Sequence, residues 1–217
     1  MRVVSVDIGW RNLAFVKMDV FGESYDIIEW KLVDIIDDES VNVNKTSLED
    51  LVNLTAEKFS KVVHDWECEV CYLELQPMGQ MARNVKTKTL SHIFQSILLS
   101  KGIRVKFVSP KLKLQGLETA TYAANKKFAV EAAYKILGES SWNSVLDDAK
   151  KKDDLADAFM QGLFAARADL KPKTAKRPRQ PSVKKDRHAI ATEAAILDLT
   201  PATKTTNSSD HATAIEL

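Results

Sequence analysis

The chain reads as an α/β protein with a mixed five-stranded sheet flanked by helices. Three observations point there. Residues 2–36 hold three apolar, β-rich segments joined by short connections, the pattern of an antiparallel meander. Two further apolar runs, Glu69–Leu75 and Arg104–Val108, alternate with segments of helical periodicity, as in strand–helix–strand units. With 217 residues and 45% hydrophobic content, the chain has room for one domain with a real core, plus a tail.

RVVSVDI is the first strand, and its apolar run marks it as buried. Leu13–Val20 and Tyr25–Ile36 follow as strands, with Phe21-Gly22-Glu23-Ser24 as the turn between them. Ser47-Leu48-Glu49-Asp50 opens a helix as a capping box, Asp50 standing where Glu or Gln is usual. Leu48, Leu51, Val52, Thr55, Phe59, Val62 and Val63 keep helical spacing behind it. After the strand Glu69–Leu75, a helix is expected from Met81 to about Lys101, ended by Gly102. The strand Arg104–Val108 stops at Ser109-Pro110, because a residue before proline is pushed out of the helical region. Tyr122–Leu137 and Lys152–Ala168 are helices separated by a polar loop around Ser140–Asp148. The order β-β-β-α-β-α-β-α-α is shared by the ribonuclease H superfamily. Residues 1–170 therefore form the folded domain. Residues 171–217, with Pro, Lys, Thr and Ser in no periodic order, are expected to be a disordered basic tail with a short helical stretch near Ala189–Leu197.

Charge is unevenly distributed behind a net value of +1. Residues 171–187 hold eight Lys/Arg against one Asp, whereas residues 1–170 hold 22 Lys/Arg against 25 Asp/Glu. Residues 75–117 hold eight Lys/Arg and no acid. A basic surface of this kind suits a polyanionic partner. No apolar run approaches the length of a membrane span, and Asp7 interrupts the N-terminal apolar run too early for a secretory signal. Cys68 and Cys71 form a lone C-x-x-C with no second Cys or His pair to complete a zinc site, and they read as core residues leading into a strand. A reducing, intracellular setting is the expectation.

Four carboxylates stand out. Asp7 in VVSVDIG and Glu74 in CYLELQ each follow a short apolar run, at the C-terminal end of a buried strand. Asp7 alone is as easily a turn acid, with Gly9 permitting a tight turn, and D-I-G also opens the phosphate loops of actin-like ATPases. Glu74 is the stronger signal, because an acid inside an apolar strand is costly unless paired or metal-bound. Asp154 and Asp157 share one face of a helix, although Asp153 and Asp157 are also neighbours at four residues. An acidic first turn complementing the helix dipole explains one such Asp, not the whole set. Carboxylates drawn from three segments converge where hard divalent cations hold them, and two-metal sites mostly serve phosphoryl transfer. Lys111 and Lys113 follow the strand ending at Pro110, and Lys126 and Lys127 begin the next helix, where a cation could face a phosphate. Arg83, Lys86 and Lys88 lie close after Glu74, where backbone phosphates would pass. His92 is a candidate base, but one His facing a helix groove is more often structural.

Taken together, SVDIGWRNLAF, YLELQP followed by K-T-K-T-L-S-H, VSPKLKLQG, NKKFAV and KKDDLADAFMQG occur in the order found in a known family. Over residues 1–168 the chain resembles the RuvC-type Holliday junction resolvases, most closely the branch of poxviruses and other large DNA viruses, with fungal mitochondrial resolvases as relatives. The resemblance implies a ribonuclease H-like fold and a metal-dependent endonuclease that resolves four-way DNA junctions. It implies that Asp7, Glu74, Asp154 and Asp157 bind two Mg²⁺ ions, with Mn²⁺ as a substitute, and it selects Asp154 over Asp153. Lys113 and Lys127 match the lysines near the cleaved phosphate, leaving Arg83, Lys86, Lys88, Lys111 and Lys126 as DNA contacts. A homodimer is implied, since two related strands must be nicked. A viral source would place the protein at sites of viral DNA replication. Bacterial members insert an aromatic residue soon after the Glu, whereas this chain has Gln76-Pro77-Met78 there. The competing functions are a nuclease for RNA–DNA hybrids or flaps, an actin-like nucleotide-binding protein and a non-catalytic junction-binding module. The actin-like reading needs more glycine-rich loops than seven glycines supply. The binding module gains nothing from acids that repel phosphate.

Overall fold

The computed structural model describes residues 1–76, 85–114 and 121–172. Arg83, Pro77, Met78, the side chain of Lys113, the expected helical stretch at 189–197 and the rest of the basic tail lie outside the described residues. β1 (Arg2–Asp7), β2 (Leu13–Phe21) and β3 (Ser24–Val33) form the antiparallel meander, with Phe21 opposite Ser24 across a two-residue turn. β3 ends at Val33, short of the expected Ile36, because Asp34 turns the chain: its Oδ1 accepts from the amides of Ile36 at 2.9 Å and Asp37 at 3.0 Å. Ile35 and Ile36 remain buried, packed from this turn rather than from the strand.

β4 (Val70–Glu74) runs parallel to β1, and β5 (Arg104–Val108) parallel to β4, giving the sheet order β3-β2-β1-β4-β5. The period-two alternation of strands sends residues to two cores. Val4, Val6, Cys71 and Leu73 face α1 (Leu48–Val62) and α2 (Val85–Ser100), which supply Leu51, Phe59, Leu90, Phe94 and Leu98. Val3, Val70 and Tyr72 face the opposite layer: α3 (Tyr122–Leu137), α4 (Asn143–Asp148) and α5 (Lys152–Leu170). At the start of α1 Ser47 Oγ accepts from the Asp50 amide at 3.1 Å, the N-cap half of the expected box, and donates to the Asp50 carboxylate at 2.6 Å. The expected polar loop around Ser140–Asp148 instead contains the helix α4. Its one fully buried residue, Leu146, anchors an otherwise polar turn to the core. Cys68 and Cys71 are free thiols; burial pushes the first up to about 11 and the second well above its usual value, so both stay protonated and act as packing. Among the described residues, no helix is long and apolar enough to cross a membrane.

The far end of α5 is tied to the sheet by Asp169, which accepts from Tyr72 Oη at 2.8 Å and Lys106 Nζ at 2.6 Å. Burial pushes the Asp169 carboxyl up, but the bonds from Lys106 and Tyr72 outweigh it and hold the group below the usual range. The folded value is thus below the unfolded one of about 4, so the stabilisation is present above that pH and is lost as pH falls through the folded value. Asp19, lowered chiefly by its bond from Arg2, has the same sign. The thermal midpoint should therefore fall as pH drops below about 4. Asp169→Asn should melt lower at neutral pH and show a shallower acid decline, as read by thermal denaturation across that range.

Candidate active site

Asp7 is the last residue of β1 and Glu74 the last of β4. These strands pair in parallel up to Val6 opposite Leu73, so one further step sets Asp7 beside Glu74. Alternation puts both on the face that carries Ser5 and Tyr72, beneath α5. Beyond Asp7 the chain turns back sharply: a Cβ on Gly9 would lie 2.6 Å from the Asn12 carbonyl oxygen. Arg11 fastens this turn to the loop after β3, donating to Asp34 Oδ2 at 3.1 Å and to the carbonyls of Asp38 and Val41 at 2.7 and 2.6 Å.

α5 supplies the other two acids, and its seating decides where they arrive. Gln161 is buried against the sheet and donates from Nε2 to Ser5 Oγ at 3.1 Å and to the carbonyls of Val6 and Tyr72 at 3.3 and 3.4 Å. Further along α5, Arg167 donates to the Glu23 carbonyl in the β2–β3 turn, beside the N-terminal end of β1, so α5 runs away from the strands' C-terminal ends. From Gln161 back to Asp157 is about 6 Å along the helix, and from Ser5 on to Asp7 about 6.6 Å along the strand, in the same direction. Asp157 therefore lies towards the end of the sheet that carries Asp7 and Glu74. Asp154 shares its helix face one turn further out. Gln161 had no role assigned from sequence; its spacing of four from Asp157 was the available signal.

Asp153 faces α3, where its Oδ2 is ion-paired with Lys126 Nζ. The same ammonium lies 3.9 Å from Asp154 Oδ1. Burial raises the Asp154 carboxyl above its usual range, and the charges of Asp153 and Asp157 add to this against Lys126 and Lys151. Burial also pushes Asp153 up, but the bond and charge of Lys126 hold it below the usual range. The aligned acids are hard oxygen donors suited to Mg²⁺ or Mn²⁺ rather than to a soft metal. Among the described residues, no three His, Cys, Asp or Glu side chains are gathered around a single point. Carboxylates repel at short range, so gathering them requires a cation between them. Burial first, and then the charges of Asp153 and Asp157, disfavour the ionised form of Asp154; a divalent cation would stabilise that form, and in that respect the residues fit such an ion.

The basic candidates divide. Lys86 donates to the carbonyls of Val43, Asn44 and Thr46 at 2.8, 3.1 and 2.7 Å. These bonds engage all the N–H groups an ammonium has, so Lys86 braces the loop before α1 instead of presenting itself to phosphate. Lys88 is half-buried on α2, and Lys111 is exposed on a short 3₁₀ turn, Pro110–Leu114, which also carries the backbone of Lys113. Lys127 is not brought to the acids: its Nζ is 3.6 Å from Glu131, one turn along α3. His92 is exposed, with its ring 5.6 Å from that of Phe107.

A three-strand meander continued by two parallel strands, with an acid at the end of β1, another at the end of β4 and two more on the helix crossing them, defines a protein of ribonuclease H-like fold. Residues 1–168 match the family described as Poxvirus A22 protein, and the chain belongs to that family. The viral branch expected from the motifs is thus the one found. None of the curated proteins matches the chain. Among solved structures, the fowlpox virus resolvase in complex with substrate Holliday junction DNA is 19% identical with a TM-score of 0.59, covering 79% of this chain and 100% of that one. Thermus thermophilus RuvC is 16% identical with a TM-score of 0.54, covering 78% of this chain and 97% of that one. At these identities the likeness establishes the shared fold.

Proposed function

We propose that the protein is a metal-dependent endonuclease that resolves four-way DNA junctions by paired nicks. What supports this reading is the placement of Asp7 and Glu74 at neighbouring strand ends, with Asp154 and Asp157 on the helix packed over that sheet, in a chain of the Poxvirus A22 family. The similarity in fold to a resolvase solved on junction DNA supports the choice of substrate. Asp7, Glu74, Asp154 and Asp157 would hold two Mg²⁺ ions, which when bound activate the attacking water and stabilise the leaving 3′ oxygen. The ends produced are a 5′-phosphate and a 3′-hydroxyl. Gln161 and the seating of α5 keep Asp154 and Asp157 against the strand ends. Lys88 and Lys111, within the acid-free stretch after Glu74, neutralise phosphates along the DNA. A homodimer supplies two such sites for two related strands.

The test is a synthetic mobile four-way junction offered beside a flap and an RNA–DNA hybrid of matched sequence. The expected result is paired nicking of the junction with Mg²⁺ and none in EDTA. Equal or faster cutting of the hybrid or the flap would replace the junction with that substrate.

A further inference from the structure

Lys126 and Lys127 are adjacent in sequence, yet the fold gives them different partners. The Lys126 side chain is 33% exposed and ion-paired with Asp153, whereas that of Lys127 is 82% exposed and reaches towards Glu131 on its own helix. Asp153 precedes Asp154 by one residue, which turns it about 100° from Asp154 around α5, to the edge of the acid stripe that faces α3. It is thus a half-buried carboxylate beside the site that has no part in the proposed chemistry. An extra anion there repels phosphate unless it is neutralised. Asp153 and Lys126 neutralise each other. The pairing also decides where the ammonium rests, because Asp153 holds it 3.9 Å from Asp154, beside the acids and not on them.

We propose that Asp153 is a positioning residue: it holds Lys126 Nζ at the edge of the Asp7, Glu74, Asp154 and Asp157 set, where the ammonium meets the phosphate being cut. Lys126, and not Lys127, is then the α3 lysine of the reaction. The proposal rests on the nuclease reading above. A preplaced cation stabilises charge that develops in the transition state without a reorganisation cost at the moment of reaction. Its anchor acts through it, as the outer partners of metal ligands do.

Single-turnover cleavage of the four-way junction is measured for Asp153→Asn, Asp153→Glu, Lys126→Gln, Lys127→Gln and the double variant Asp153→Asn/Lys126→Gln. Junction affinity in EDTA and the thermal midpoint are measured for each. Asp153→Asn is expected to slow cleavage about 10–100-fold. Asp153→Glu, which keeps the charge, should recover most of that loss. Lys126→Gln should cost about 10²–10³-fold, and the double variant should be no slower than Lys126→Gln alone. Lys127→Gln should stay near wild type, as an exposed pair is worth little. Affinity in EDTA should be unchanged for Asp153→Asn. Wild-type cleavage by Asp153→Asn, additive losses in the double variant, or a Lys127→Gln defect equal to that of Lys126→Gln overturns the proposal while leaving the nuclease reading intact. Should Asp153→Asn melt below the assay temperature, a folded Asp153→Glu that stays as slow as Lys126→Gln overturns it equally. A wild-type chain that leaves the junction whole overturns both.

Discussion

Asp7→Asn should bind a four-way junction as tightly as the wild type and cut it at least about 10³-fold more slowly. Asp and Asn have nearly the same shape, and Asp7 pairs with Ala14 through backbone at the end of β1, so the sheet should tolerate the exchange. What changes is one full negative charge beside Glu74. Without it the remaining acids hold a divalent cation less firmly, and the stabilisation of the attacking and leaving oxygens falls with it. On the proposed reading, binding draws on Lys88 and Lys111, which the exchange leaves untouched, and losing an anion near the phosphate path lowers repulsion. Gel-shift affinity in EDTA and cleavage with Mg²⁺ separate the two effects. Normal cleavage by this variant would sink the assignment of Asp7, and a parallel loss of binding and cutting would recast it as a fold residue.

How much of this site was legible before the structure depends on the kind of constraint. Asp7 and Glu74 could be read because a carboxylate closing a short apolar run is out of place in a strand, and their parallel pairing followed from the strand–helix–strand order. Asp154 and Asp157 could be read as one face because helical spacing is local. Their depth over the sheet could not, since it depends on Gln161 meeting Ser5, Val6 and Tyr72, contacts that span up to 156 residues of chain. The two lysines of α3 were ambiguous for a related reason. Neighbours on a helix point about 100° apart, and only the packing of α3 against α5 decides which one meets Asp153. Lys86 illustrates the converse. It sits in a stretch whose charge suggests DNA, but the carbonyls it satisfies belong to a loop some 40 residues earlier, and no local pattern announces them. The fold was legible almost throughout; α4 escaped because a single buried Leu146 in a polar run carries no periodicity.

Gly162→Ala should lower the thermal midpoint and slow cleavage together, because the same contact seats the helix and places its acids. A Cβ at position 162 would lie 2.6 Å from Ser5 Cβ and 2.9 Å from Met18 Cε. Met18 ends in a flexible thioether and can give way. Ser5 Cβ is fixed to the backbone of β1, so α5 itself must lift. Overpacking of this kind costs about 1–3 kcal/mol, against a gain of up to about 1 kcal/mol from replacing glycine in a helix. A net loss of 1 kcal/mol lowers the midpoint by about 2–4 °C in a domain of this size. Lifting α5 also stretches the three bonds from Gln161 and draws Asp157 and Asp154 away from Asp7 and Glu74. A misplacement near 1 Å can cost about 10²-fold in rate, so cleavage should fall by about 10–100-fold at temperatures where the variant is fully folded. Junction binding should persist. Ser5→Gly removes the obstructing atom, and Ser5→Gly/Gly162→Ala should regain part of the lost rate although it forgoes the Ser5 bond to Gln161. If Gly162→Ala melts and cuts like the wild type, α5 is not held as closely to β1 as these contacts require, and the placement of Asp157 towards the end of the sheet that carries Asp7 and Glu74 falls with it.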